Sequence, residues 1–411
     1  MKSTTTSYDY IIAGAGCAGL GLVWRMLSSE LSDTRILILD PDPKEQNDRT
    51  WCFWSDEAPD LPCHPSHSWR QLQVATPSKT LTLPLSPYSY YHVKGQDYYQ
   101  SIKALIAMHP NVEWRREKVE QISSDKEIAT VTTHSGSSYT GSWVFSSLPQ
   151  TPKPLGDEGL LQHFYGVFVK TEFPAFDSKT VDLMDFRVEQ DGEIRFYYLL
   201  PFSETEALIE FTVFSKTPWN RASYEVFIDE YLENLTAGGA GGIVITDSEQ
   251  GVIPMNTVKA NEPLHARVLN IGLAGGAARP GTGYAFPFIQ RNNAKIVASL
   301  IADGYPQAAP YHSSRHLFYD SLLLRVLSKE GHYGRSIFEQ LFQKQPTGRV
   351  LRFLAEESTL WEDIRIMISL PWAPFLRALF AKYAGITLPA ISMAKPPSPL
   401  LSPLPHAHRR S

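Results

Sequence analysis

Near the start of the chain the apolar positions switch from a short continuous run to a helical period and back. Asp9–Ala13 (DYIIA) reads as a strand. Leu20, Leu22, Val23, Met26, Leu27 and Leu31 then recur at roughly helical intervals. Arg35–Leu39 (RILIL) reads as a second strand, closed by Asp40. Residues 69–93 alternate as strands and carry a tyrosine cluster, and Gln96–Met108 reads as a helix. Short β-runs over 111–145 end in Trp143–Phe145, which completes a Rossmann-type domain. A Pro/Gly-rich linker from Thr151 (TPKPLGDEG) marks a boundary. Beyond it Phe164–Thr171 is a long strand, and Ile194–Leu200 and Ala207–Phe214 form a hairpin through Pro201–Glu206. Residues 270–291 return to the first pattern, with an apolar run, a glycine loop and the start of a helix. Residues 313–384 are helical, and from Thr387 the tail is rich in proline and is expected to be disordered.

The pattern predicts an α/β chain. A discontinuous Rossmann-type domain occupies 1–150 and 250–300. An antiparallel β domain occupies 151–249 with part of 50–95. A helical region covers 301–386, and the tail covers 387–411.

Composition narrows the chemistry. The chain has 411 residues, 43% of them hydrophobic and 20% charged, which suits a globular protein with room for two or three domains. A net charge of −5 argues against nucleic acid as a partner. Cys17, Cys52 and Cys63 have no metal-ligand or CxxC spacing, and point to a reducing, cytoplasmic compartment. The polar start, MKSTTTSYDY, is expected to carry no secretory signal. No apolar run reaches the 18 or so residues of a membrane span. Residues 365–383 (RIMISLPWAPFLRALFAKY) are apolar, aromatic and basic. This suits either core packing or an interfacial contact with a membrane.

Between the two first strands lie Gly14, Gly16 and Gly19 in G-x-G-x-x-G spacing. The first permits a tight turn, the second lets the backbone approach a pyrophosphate, and the third lets the helix pack on the sheet. The helix N-terminus offers unpaired N–H groups to the phosphates, and an acid about 20 residues on accepts from a ribose hydroxyl. Asp40 fills that place. The motif opens a chain too long for one Rossmann unit, which favours FAD over NAD. Arg49 lies in the segment that leaves the C-terminal edge of the second strand, and reads equally as a phosphate or flavin contact or as a solvated loop charge. The second glycine loop, with Gly281 and Gly283, suits the flavin ring and ribityl chain, or an ordinary strand–loop–helix junction.

Glu210 stands in ALIEFTVFS, an otherwise apolar strand. Alternation puts Ile209, Phe211 and Val213 on one face and Leu208, Glu210, Thr212 and Phe214 on the other. A tight hairpin places Tyr197 opposite Glu210. A carboxyl in apolar and aromatic surroundings has its pKa raised by desolvation and serves as a general acid near neutral pH. If the second face is wet, Glu210 is a surface charge.

Taken together, NDRTWCFW, PYSYYHVKG, LPFSETEALIEF, EQGVIPM and AGGAARPGTGYAFPF resemble the bacterial lycopene β-cyclases of carotenoid synthesis. The resemblance runs from the first glycine turn to about Phe380. It implies a fold like that of the FAD-dependent hydroxylases and geranylgeranyl reductases, with FAD at Gly14, Gly16, Gly19 and Asp40, and Glu210 as catalytic acid. It also implies a reduced flavin with NAD(P)H as electron donor, and lycopene as substrate, cyclised without net redox change. Tyr88, Tyr90 and Phe286 are then candidates for cation–π support of a carbocation. A bilayer-borne substrate favours peripheral attachment to the inner face of the cell membrane. A monooxygenase or isoprenoid reductase on the same fold is the alternative. Ala274, Ser146 and Ser147 stand where many flavin hydroxylases have Asp.

Overall fold

The computed structural model describes residues 7–149, 155–257, 266–307 and 309–383. The expected tail and the first residues of the Thr151 linker lie outside them.

The chain begins β1 (Ser7–Ala13), α1 (Cys17–Leu27) and β2 (Ile36–Leu39). It continues through β3 (Thr50–Ser55), β4 (His67–Trp69), β5 (Gln71–Thr76), β6 (Lys79–Pro84) and β7 (Ser89–Lys94). Next come α2 (Gly95–Ala107), β8 (Val112–Arg115), β9 (Val119–Ser124), β10 (Ala129–Thr133) and β11 (Ser138–Ser146). The long strands β12 (Leu160–Thr171), β13 (Thr180–Asp185), β14 (Ile194–Pro201) and β15 (Glu206–Ser215) lead to α3 (Arg221–Leu235). After β16 (Ile243–Met255) and β17 (Val268–Asn270) come α4 (Phe286–Asp303), α5 (Ser314–Lys329), α6 (Gly334–Lys344), α7 (Thr347–Leu354), α8 (Leu360–Ser369) and α9 (Trp372–Tyr383).

One sheet runs β8-β2-β1-β11-β10-β9, with β17 beside β11. β1 is parallel to both β2 and β11, as a strand–helix–strand crossover requires. α1 and α4 pack together against this sheet, around Leu20, Val23, Ile289 and Ile296. β17 and α4 therefore return the chain to the first domain.

The second sheet runs β16-β12-β15-β14-β13-β5-β6 and is mostly antiparallel. Its inner strands β14 and β15 are largely apolar on both faces because both are covered, whereas the edge strands β16 and β6 are mostly exposed. Ile209, Phe211 and Val213 face α3, with Tyr224 and Ile228. Leu208 and Phe214 face the other way, into a core shared with α5, α6 and α7. The small sheet β3-β7-β4 bridges the two domains. Its Trp54 donates from Nε1 to the Leu351 carbonyl of α7 at 3.2 Å.

A buried ion network ties the second glycine loop to the helical cap. Arg279 donates to both carboxylate oxygens of Asp320 on α5 at 3.1 Å, and to the Phe353 carbonyl of α7 at 2.6 Å. A Cβ on Gly281 would lie 2.5 Å from Asp320 Oδ1, so the glycine permits this contact.

Candidate functional site

The turn after β1 is built as a cradle. Gly14 has φ +100°, in the left-handed region that favours glycine. A Cβ on Gly19 would lie 2.0 Å from the Gly14 carbonyl oxygen, so only glycine lets α1 sit this close to the strand end. A Cβ on Gly16 would meet nothing within 4 Å; it would project into open space at the helix N-terminus. No side chain caps that terminus and no acid lies in its first turn. Its N–H groups and positive dipole end face outward, as an anion site requires. Asp40 reaches back to the same turn, its Oδ2 accepting from the Ala15 N–H at 2.6 Å. These residues fit a pyrophosphate and its ribose. Arg49 is exposed, its Nη1 donating to the Asp48 carbonyl at 2.6 Å, and its charge also acts on Glu249.

The second glycine loop extends from this domain over the second sheet. A Cβ on Gly283 would lie 2.5 Å from Gln162 Oε1 of β12, and its φ is +72°. Tyr284 meets Trp54 edge to face at 4.9 Å. The loop therefore covers the face of the sheet that carries Glu210.

Glu210 is 9% exposed. Thr212 donates from Oγ1 to its Oε1 at 2.8 Å. Burial, then the nearby Glu249 carboxylate, push the Glu210 carboxyl well above the usual carboxylate range, which favours its protonated form. The sheet register explains how the two acids meet. Gly166 of β12 is paired with Glu210 of β15 on one side and with Glu249 of β16 on the other. All three positions share a face, and the middle one has no side chain. The glutamates reach across it to hydrogen-bonding contact. Their environments differ. Glu249 is half-buried and has Arg49 and Thr50 beside it, both favouring its anion, although burial still raises it.

Aromatic rings line the space in front of Glu210. Tyr198 is its register partner on β14. Tyr198 lies in hydrogen-bonding contact with Tyr284, and Tyr284 with Tyr90. Trp54 stacks with Tyr90 at 6.5 Å. Burial raises all three phenols, so the rings remain neutral. Further along the same face lies a cavity of about 20 Å³ lined by Leu183, Met184, Phe214, Phe338 and Leu341, with Tyr198 and Tyr284 at one side. It marks an apolar seam between the sheet and α6.

The expected residues therefore divide. Gly14, Gly16, Gly19 and Asp40 come together at the cradle, and Gly283 lies over the face that carries Glu210. Gly281 faces Asp320. Tyr90 joins the ring group beside Glu210, whereas Tyr88 is buried in the core and contacts Arg352. Phe286 stacks on Trp51 at 5.3 Å in the core of the first domain. The hairpin register differs by one residue from the expected one: Tyr198, not Tyr197, lies beside Glu210. Tyr197 pairs with Phe211 and donates to the Phe227 carbonyl at 2.9 Å, on the opposite face. The cause is that β14 extends through Pro201 and β15 starts at Glu206, a geometry that apolar alternation cannot fix. Sequence reasoning also missed Glu249, Tyr198, Tyr284 and Trp54. Glu249 and Tyr284 stood in plain view, inside EQGVIPM and AGGAARPGTGYAFPF.

The sequence profile described as Lycopene cyclase protein matches residues 9–380. The chain is 25% identical over 400 residues to a lycopene beta-cyclase of Pantoea ananas, covering 91% of this chain and 97% of that protein. It is 26% identical over 398 residues to one of a Paracoccus species, covering 91% and 96%. Among solved structures, a geranylgeranyl bacteriochlorophyll reductase-like protein of Thermoplasma acidophilum has TM-score 0.55 and 12% identity, covering 92% of this chain and 97% of that one. A variant of halogenase PltM in complex with FAD has TM-score 0.53 and 14% identity, covering 92% of each chain. The fold is thus that of FAD-dependent hydroxylases, halogenases and reductases.

Proposed function

The chain belongs to the lycopene cyclase family, and from that premise we propose that it converts lycopene to γ-carotene and β-carotene by acid-initiated cyclisation. The observation that carries this reading is Glu210, a buried carboxyl whose protonated form is favoured by burial and which faces neutral aromatic rings. Glu210 donates that proton to the terminal C=C of a ψ-end. A tertiary carbocation results, the neighbouring double bond attacks it, and a six-membered ring closes. Loss of a proton from the ring leaves the β-end group, so electrons and atoms balance with no net redox change. The faces of Trp54, Tyr90, Tyr198 and Tyr284 offer cation–π support, worth roughly 0.5–2 kcal/mol per good contact. The sheet, the glycine loop and the helical cap keep out water that would quench the cation.

The cradle at Gly14, Gly16, Gly19 and Asp40 fits the pyrophosphate and ribose of FAD. When bound, reduced flavin supplies negative charge that stabilises the cation, with NAD(P)H as the electron source. The overall reaction is an isomerisation, an intramolecular lyase step.

Delivery of a bilayer-borne polyene fits the surface of α8 and α9. Trp361 is 76% and Ile368 77% exposed, and Trp372, Phe380 and Tyr383 extend the apolar face. No single helix among the described residues is long and apolar enough to cross a membrane. The reading is of peripheral attachment through this face, on the cytoplasmic side.

The test is reductant stoichiometry. Purified protein with FAD is given lycopene in detergent and a limiting pulse of NADH or NADPH without oxygen. Many ring closures per reductant are expected. One reductant consumed per product would instead assign an isoprenoid reductase, and product formed only once oxygen is admitted would assign a monooxygenase.

A further inference from the structure

Two carboxyl groups meet on one face of the second sheet, Glu210 buried and Glu249 half-buried, and the acid role of Glu210 explains only one of them. A chance pair of buried acids is costly, because like charges in a low dielectric repel and each loses hydration. The fold nevertheless makes room for this one. β12 places its glycine, Gly166, in the one row where β15 and β16 both present glutamate. A Cβ there would lie 3.2 Å from Glu210 Cβ and 3.1 Å from Leu208 Cδ1. Any side chain at 166 would therefore stand between the two acids or push Glu210 aside.

We propose that Glu249 is a positioning residue for the cyclisation: its carboxylate reaches over Gly166, accepts a hydrogen bond from the Glu210 carboxyl, and so aims that carboxyl and keeps the transferable proton on it. This rests on the acid role given to Glu210 above. The asymmetry of the two surroundings decides which acid keeps the proton. Arg49 and Thr50 adjoin Glu249 and favour its anion. Around Glu210 the groups are Thr212 on its own strand, Tyr198 on β14, Cys52 on β3 and Glu249 itself, while Asp247 adds negative charge near Glu249. Among these described groups no cation adjoins Glu210.

The same pairing serves the second half of the reaction. Once Glu210 has given its proton to the substrate carbon, its carboxylate stands beside that of Glu249. Two adjacent anions attract the carbocation and repel each other, which makes Glu210 an avid base. It takes back the proton that the closed ring loses, and the pair returns to one shared proton. Nothing outside the site is consumed.

The experiment is the pH dependence of cyclisation by FAD-loaded protein, wild type against Glu249→Gln, with infrared titration of the protonated carboxyl in the same samples. The substituted side chain removes the repelling charge and offers an amide N–H to the Glu210 carboxylate. Glu210 then ionises at lower pH. The alkaline limb of activity and the carboxyl band should both move down by about one unit or more. Gly166→Ala should move them in the same direction, and it carries the test if Glu249→Gln loses its flavin. Unshifted limbs and band in these variants, whatever the absolute rate, would overturn the proposal. The infrared titration needs no substrate. A wild type that leaves lycopene unchanged would count against the cyclase reading, and the band would still decide whether the carboxyls are paired.

Discussion

Gly16 and Gly19 belong to one turn, yet their surroundings predict opposite outcomes on substitution. Alanine at 16 projects into open space and leaves the fold intact, with stability within about 0.5 kcal/mol of wild type. That space is where a pyrophosphate approaches, so FAD affinity should fall at least about tenfold, or about 1.4 kcal/mol. Alanine at 19 drives its Cβ against the Gly14 carbonyl oxygen at 2.0 Å and should cost about 1–3 kcal/mol in stability. Urea unfolding of the apoproteins and equilibrium titration with FAD separate the two effects. Both glycines and Asp40 were legible from spacing because the motif fixes local backbone geometry. Glu210 was legible because a charge amid Leu208, Ile209 and Phe211 breaks an apolar run. Glu249 was not, since a glutamate on a mostly exposed strand looks like a solubility charge until Gly166 brings it to Glu210.

Among the elements, β13 carries a second group of acids that the reaction does not use. Burial, then Asp185, push Asp182 up to about 7, while Arg187 pulls the other way. Its folded pKa is raised, so its contribution to stability is fully present below the unfolded value near 4 and is lost as the pH rises through 7. Asp182→Asn removes that loss. The variant should gain on the order of a few kcal/mol over wild type at pH 8 and nearly nothing at pH 4. Urea midpoints at the two pH values check it, and equal differences at both would reject it. The limits of sequence reading also show at this scale. Strands β12, β14 and β15 and helix α2 could be read from period and composition to within a few residues. The pairing register could not, and it displaced Tyr197 in favour of Tyr198. Register depends on the turn and on neighbouring strands, which no single strand encodes.

Over the whole molecule, the apolar face of α8 and α9 and the seam beneath α6 lie on the same helical cap. The sequence left the 365–383 stripe open between core and membrane, and the fold divides it. Ile366 and Ala378 are buried, while Ile368, Trp372 and Phe380 are exposed. Helical period alone cannot tell which side meets the protein, because both sides are apolar. Trp361→Glu with Ile368→Glu should abolish co-sedimentation with anionic vesicles. Conversion of detergent-dispersed lycopene should stay within about twofold, since neither side chain touches the Glu210 face. Equal losses in both assays would remove the docking role. The apolar run and helix start read over 270–291 correspond to the end of β17, which lies beside β11, and to α4, which packs on α1.

The central claim, that a buried protonated glutamate starts ring closure, is tested most directly by pigment chromatography of lycopene-accumulating cells expressing wild type or Glu210→Gln. Glutamine keeps the shape of the side chain and cannot supply the proton. Wild type should give γ- and β-carotene, and the variant should leave lycopene unchanged beside a purified protein that still holds FAD. Cyclic carotenes from Glu210→Gln at the wild-type level would contradict it.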